Sequence, residues 1–160
     1  MVFLLALGLV SCGSIKISAV YESADGDIEE AEAISQQVME QADAMGDEVP
    51  QGIVVSANKL PDGLKLYSNT AKVLPGYKHK VLGTIRLMPD LKSIGPYTFG
   101  MPEQPDQKDA IKKLKQIGAA AGGNFVYIIS QAKVSQNEMG AIMAVAIKLD
   151  PAVLKKLKQK

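Results

Sequence analysis

The chain has 160 residues, 47% of them hydrophobic, and a formal net charge of +1. That is room for one ordinary domain with appendages, apolar enough to build a core. One cysteine, Cys12, and one histidine, His79, exclude an internal disulfide, a cysteine-cluster metal site and His-rich ligation, while three Phe and no Trp demand an aliphatic core.

Residues 1–11, MVFLLALGLVS, carry no charge and no proline. At about 1.5 Å per residue a helix of this length falls short of a bilayer core of about 30 Å, but it matches the apolar region of a secretory leader. Leu9, Val10, Ser11 and Cys12 follow as an aliphatic residue, a permissive position, a small residue and cysteine. This resembles a bacterial lipobox, which implies a signal peptide over 1–11 and lipid attachment at Cys12. Each buried lipid CH2 contributes about 0.8 kcal/mol, so several acyl chains anchor stably. No Lys or Arg precedes the apolar run, so either the leader is atypical or the true start lies upstream. Position 13 is Gly rather than Asp, which leans toward the outer membrane. The bland alternative places residues 1–10 in the core, with Cys12 as a small buried hydrophobe.

Charge is unevenly distributed. Residues 16–50 hold ten acidic residues and one basic; residues 51–160 hold seven acidic and seventeen basic. The division expected is a tether and acidic helical segment over 12–50, a basic α+β domain over 51–150 and a basic tail over 151–160. Ile15, Ile17, Ala19 and Tyr21 alternate, so this stretch is either tether or first strand. Ile28, Ala31, Ile34, Val38, Ala42 and Met45 recur at helical spacing, with Asp25 or Asp27 as N-cap and Gly46 as the stop. Asp25, Asp27, Glu29 and Glu30 lack calcium-loop spacing and read as a solvated helix start.

GIVVSAN at 52–58 predicts a strand, and LPDGLKLYS a turn followed by another. Alternation through Tyr77, His79, Val81, Gly83, Ile85 and Leu87 predicts a half-buried strand. His79 sits between Lys78 and Lys80, whose charges oppose metal binding. Four prolines over 89–106 predict a long loop, whose Tyr97, Phe99 and Met101 either touch a partner or pin the loop to the core. DAIKKLKQIGAAAGG is an amphipathic helix capped by Asp106, with Ala110, Ile111, Leu114, Ile117 and Ala121 on its apolar face. Its glycines follow the helix, where the dipole repels phosphate, so a phosphate loop is not expected. NFVYIISQAKV and AIMAVAIKL predict an apolar hairpin with its first strand central, and DPAVLKKLKQK a short basic helix.

PGYKHKVLGTIR, DAIKKLKQIGAAAGGNFVYII and GAIMAVAIKL resemble the YbjQ-like family and the related fold of the envelope lipoprotein RcsF, over about residues 51–149. The resemblance implies an α+β domain: a small twisted, mostly antiparallel sheet with one long amphipathic helix packed across it, here preceded by an acidic N-terminal helix. YbjQ-like proteins include ring-forming oligomers and have been labelled heavy-metal binders. The ligand poverty of this chain gives that label no support. RcsF-like proteins are held by disulfides, which Cys12 alone cannot make.

The functional expectation is a non-enzymatic, lipid-anchored envelope protein that binds another protein or senses envelope state. It would face the periplasm from the outer membrane, with no cofactor, no metal and no nucleic-acid partner. The alternative is a soluble oligomeric module for a small ligand or ion, without lipidation.

Overall fold

Hydrogen bonding along the alternating segments gathers five strands into one sheet. The computed structural model describes residues 16–57, 79–90, 107–133 and 139–158. The elements are β1 (Lys16–Ser23), α1 (Ile28–Ala44), β2 (Val54–Ser56), β3 (His79–Asp90), α2 (Gln107–Ala120), β4 (Phe125–Lys133), β5 (Met139–Leu149) and α3 (Pro151–Lys158). The sheet order is β1-β3-β5-β4-β2. All neighbours are antiparallel except β2 with β4. The described residues form a mixed α/β arrangement of five strands and three helices, in keeping with an α+β class. Residues 16–23 take the strand alternative, paired along their whole length with β3.

Alternation along the strands gives the sheet two apolar faces. On one, Tyr21, Ile85, Leu87, Val126, Ile128, Ile142, Ala144 and Ala146 meet Val38 and Ala42 of α1 and Ala110, Leu114 and Ile117 of α2. Each fully buried Ile or Leu there contributes about 1.5 to 3 kcal/mol. Two helices thus share this face. On the other face, Phe125, Val145, Ile147 and Leu149 pack under Val153 of α3, with Leu154 beside them.

The helix boundaries have local causes. Asp27 caps α1, its carboxylate accepting from the Glu30 amide at 3.0 Å. Behind the C-cap Met45, Gly46 turns at φ +57°. At the end of α2, Gly122 adopts φ +84° and donates to the Ala119 carbonyl, and Gly123 donates to that of Gly118. This is the Schellman pattern, which needs a left-handed residue.

Several sequence expectations shift in detail. The center of the sheet is β5, with β4 one place outward. A bulge between Val81 and Gly83 breaks the expected alternation, so Val81 lies with the α3 face while Ile85 and Leu87 lie with the other. In α2, Ile111 is 38% exposed and Gln116 only 2%. Of the small residues of β5, Ala144 and Ala146 lie beneath α1 and α2, whereas Ala141 is exposed. The left-handed residue after α2 is Gly122; Gly123 is needed for space, since a Cβ there would stand 3.0 Å from the Ile147 carbonyl oxygen.

Candidate functional site

Cys12, Tyr97, Phe99 and Met101, the residues singled out for lipid attachment and partner binding, lie outside the described residues. So do the strand expected after the turn in LPDGLKLYS, through Leu64 and Leu66, and the Asp106 cap. What the structure supplies is the frame from which those segments leave.

The strand registers give this frame two ends. Lys16 stands opposite Asp90, and Lys133 opposite Met139. The close of α1 and the early turns of α2 meet at this same end, joined by ion pairs of Lys112 with Asp47 at 3.3 Å and Lys113 with Asp43. Gln116, buried between the helices, donates to the carbonyls of Gly46 at 2.9 Å and Glu48 at 2.8 Å. The acidic helix is therefore docked on the basic one. Opposite charges contribute little to this, because exposed pairs are worth about 1 kcal/mol or less. The buried Val38 and Ala42 and the doubly bonded Gln116 carry more of it.

Two hollows open at or near the Lys16 end. The first, about 280 Å³, is lined by Lys16, Ile17, Gly46, Asp109, Lys112 and Gln116, with Lys113 at its side. Its ammonium groups face comparable negative charge: Asp109 lines it, and Lys112 and Lys113 are paired to Asp47 and Asp43. It is a charge-balanced seam between β1, α1 and α2, without the net positive field an anion site requires.

The second hollow, about 230 Å³, is on the α3 face, on the half of the sheet that α3 leaves open. Arg86, Met88, Ser130, Ala141 and Met143 line it. Met88 is 56% exposed, Met143 38%, and Val20 on the neighbouring strand 50%. Arg86 lies opposite both Val20 and Met143 in the registers and reaches Glu22 at 3.4 Å. The chemistry offered is apolar contact around one guanidinium. Sequence reasoning missed this surface because methionine at a strand position reads as core. The available signal was that Arg86 and Met88 alternate with the core residues Ile85 and Leu87, so both point away from α1 and α2.

Charge differs from helix to helix, and on one face acidic α1 lies beside α2, whose Lys108, Lys112, Lys113 and Lys115 outnumber Asp109. α1, on one face, carries five acidic residues and no basic one. α3, on the other, carries Lys155, Lys156 and Lys158 and no acidic one. His79 begins β3 opposite Leu149. Asp25 pairs with Lys80 at 2.7 Å, which together with the capping role of Asp27 gives two members of the acidic cluster structural work. Among the described residues no three His, Cys, Asp or Glu side chains gather as a metal site, and no helix is long and apolar enough to cross a membrane. No family model, curated protein or solved structure matches the chain.

Proposed function

We propose that the protein is a lipid-anchored, non-enzymatic component of a bacterial cell envelope, held through Cys12 on the periplasmic side of the outer membrane. Its role is to bind another envelope protein or report envelope state. The observation that carries this reading is the spacing of two features. An uncharged apolar leader ends at Leu-Val-Ser-Cys, and the first sheet strand opens at Lys16, four positions beyond the cysteine. A cut before Cys12 would leave every element from β1 to α3 intact. The non-enzymatic part rests on the residue inventory: a single cysteine and a single histidine, far apart in sequence, give no nucleophile–base pairing.

The finer fold reading, a YbjQ/RcsF-like domain over residues 51–150, belongs to the same proposal. It is supported by the passage from α2 through Gly122-Gly123-Asn124 into β4, which follows the order of motifs that carries the resemblance. Intact mass of the detergent-extracted protein tests the anchoring. The expected species begins at Cys12 and carries acyl chains. A chain retaining Met1 with an unmodified thiol would refute it.

A further inference from the structure

We propose that the open half of the α3 face is a site of reversible oxidation, where a peroxide converts the thioethers of Met88 and Met143 to sulfoxides. The inference goes beyond the reading above and does not depend on the lipid anchor.

Among the described residues, four methionine side chains differ in their surroundings. Met39 packs against the core, and Met45, the C-cap of α1, is half-buried. Met88 and Met143 are the exposed ones, at 56% and 38%. A peroxide must reach sulfur directly, so reactivity follows exposure. This exposure has a structural cause. Beyond the bulge at Val81–Gly83, Arg86 and Met88 alternate with the core residues Ile85 and Leu87. Met143 likewise alternates with Ile142 and Ala144. All three therefore stand on the face where α3 packs over Phe125, Val145, Ile147 and Leu149 and goes no further.

The registers set the two methionines side by side. Arg86 stands opposite Met143 and Leu87 opposite Ile142, which puts Met88 level with Ala141, on the diagonal from Met143. Diagonal neighbours on one sheet face are within reach of long side chains. Both line the same hollow of about 230 Å³, together with Arg86, Ser130 and Ala141. A peroxide is small and uncharged, so a patch in which Arg86 is paired with Glu22 does not exclude it. That pair uses a single guanidinium nitrogen, Nη2. A guanidinium has five N–H donors, so Arg86 can also donate to a sulfoxide oxygen.

The step balances without a further reactant. Sulfur takes one oxygen atom and gives up an electron pair; the O–O bond breaks and the peroxide leaves as water or alcohol. A sulfoxide reductase reverses it with a dithiol, which becomes a disulfide as water is released. The sulfoxide is polar where the thioether is apolar, so the hollow changes character. Neither methionine belongs to the core clusters, so the fold is kept.

The test treats the purified full chain with substoichiometric hydrogen peroxide and maps the digest by mass spectrometry, fragment spectra separating Met143 from Met139. The expected result is that Met88 and Met143 gain oxygen several-fold faster than Met39 and Met45, and that the difference vanishes in urea. The oxidised chain should elute earlier from a hydrophobic-interaction column at an unchanged Tm, and methionine sulfoxide reductase should restore its elution. The Met88→Leu/Met143→Leu variant should keep its elution under the same dose. Equal rates at all four methionines in the folded chain would overturn the proposal. So would a shift in elution that persists in the double variant, or a fall in Tm that accompanies oxidation of the wild type.

Discussion

Tyr21 shows how one side chain ties the edge of the sheet. Its ring lies against Gly83, where an added Cβ would meet the ring at 2.6 Å and collide with the Glu22 carbonyl oxygen, and its hydroxyl donates to the Leu82 carbonyl at 2.9 Å. Gly83→Ala should therefore cost about 1 to 3 kcal/mol, read as a lower denaturant midpoint with an unchanged slope. Burial, helped by the negative charge of Asp25, pushes the Tyr21 hydroxyl up to about 12. The unfolded chain releases that proton near pH 10 while the folded chain keeps it, so this contribution is whole below pH 10 and falls as pH rises from 10 to 12. The loss should be on the order of 1 to 2 kcal/mol, and in Tyr21→Phe denaturant melts at pH 9 and pH 11.5 should differ by less than in the wild type. Asn124 has a comparable role at the far end. Its amide donates to the Leu149 carbonyl at 2.9 Å and accepts from the Leu149 amide at 2.8 Å, replacing a rung of the β-ladder. Asn124→Asp keeps the acceptor and loses the donor, and should cost about 1 to 3 kcal/mol in the same melt. From sequence, Asn124 is legible only as a turn residue; its pairing with a strand end 25 positions away depends on the β4–β5 register.

Among the elements, α1, β3, α2 and the β4–β5 hairpin were legible because their apolar spacing agrees with their caps and turns. What escaped depends on partners distant in sequence. Gln116 sits among lysines and reads as a solvated face, yet it is buried because the Gly46 and Glu48 carbonyls need a donor there. Replacing it with Met leaves both acceptors without that donor. Gln116→Met should lower stability by about 1 to 3 kcal/mol, which at about 2 to 4 °C per kcal/mol is a visible drop in Tm. It should also speed proteolytic cleavage between residues 45 and 52. If cleavage there is unchanged, the clasp does not hold α1 in place. The bulge at Val81–Gly83 escaped for a related reason: an extra residue in one strand is defined only by its neighbour, and it reverses which face each later side chain meets. Of the candidate site, the Leu9–Cys12 stretch carries only a local pattern that resembles a lipobox, and it lies outside the described residues. The open face with Arg86, Met88 and Met143 was not legible, because α3 covers only part of one sheet face and nothing in the sequence states which part.

At the scale of the molecule, the described residues form a sheet covered by α1 and α2 on one face and partly covered by α3 on the other. The central claim is that Cys12 joins the frame to a membrane. The most direct measurement is palmitate labelling with membrane fractionation of cells producing the wild type or Cys12→Ala. The prediction is that the wild type takes label and sediments with membranes, and that the variant loses label and membrane association together. An unlabelled wild-type chain in the soluble fraction, indistinguishable from Cys12→Ala, would contradict the account and favour an unanchored oligomeric module.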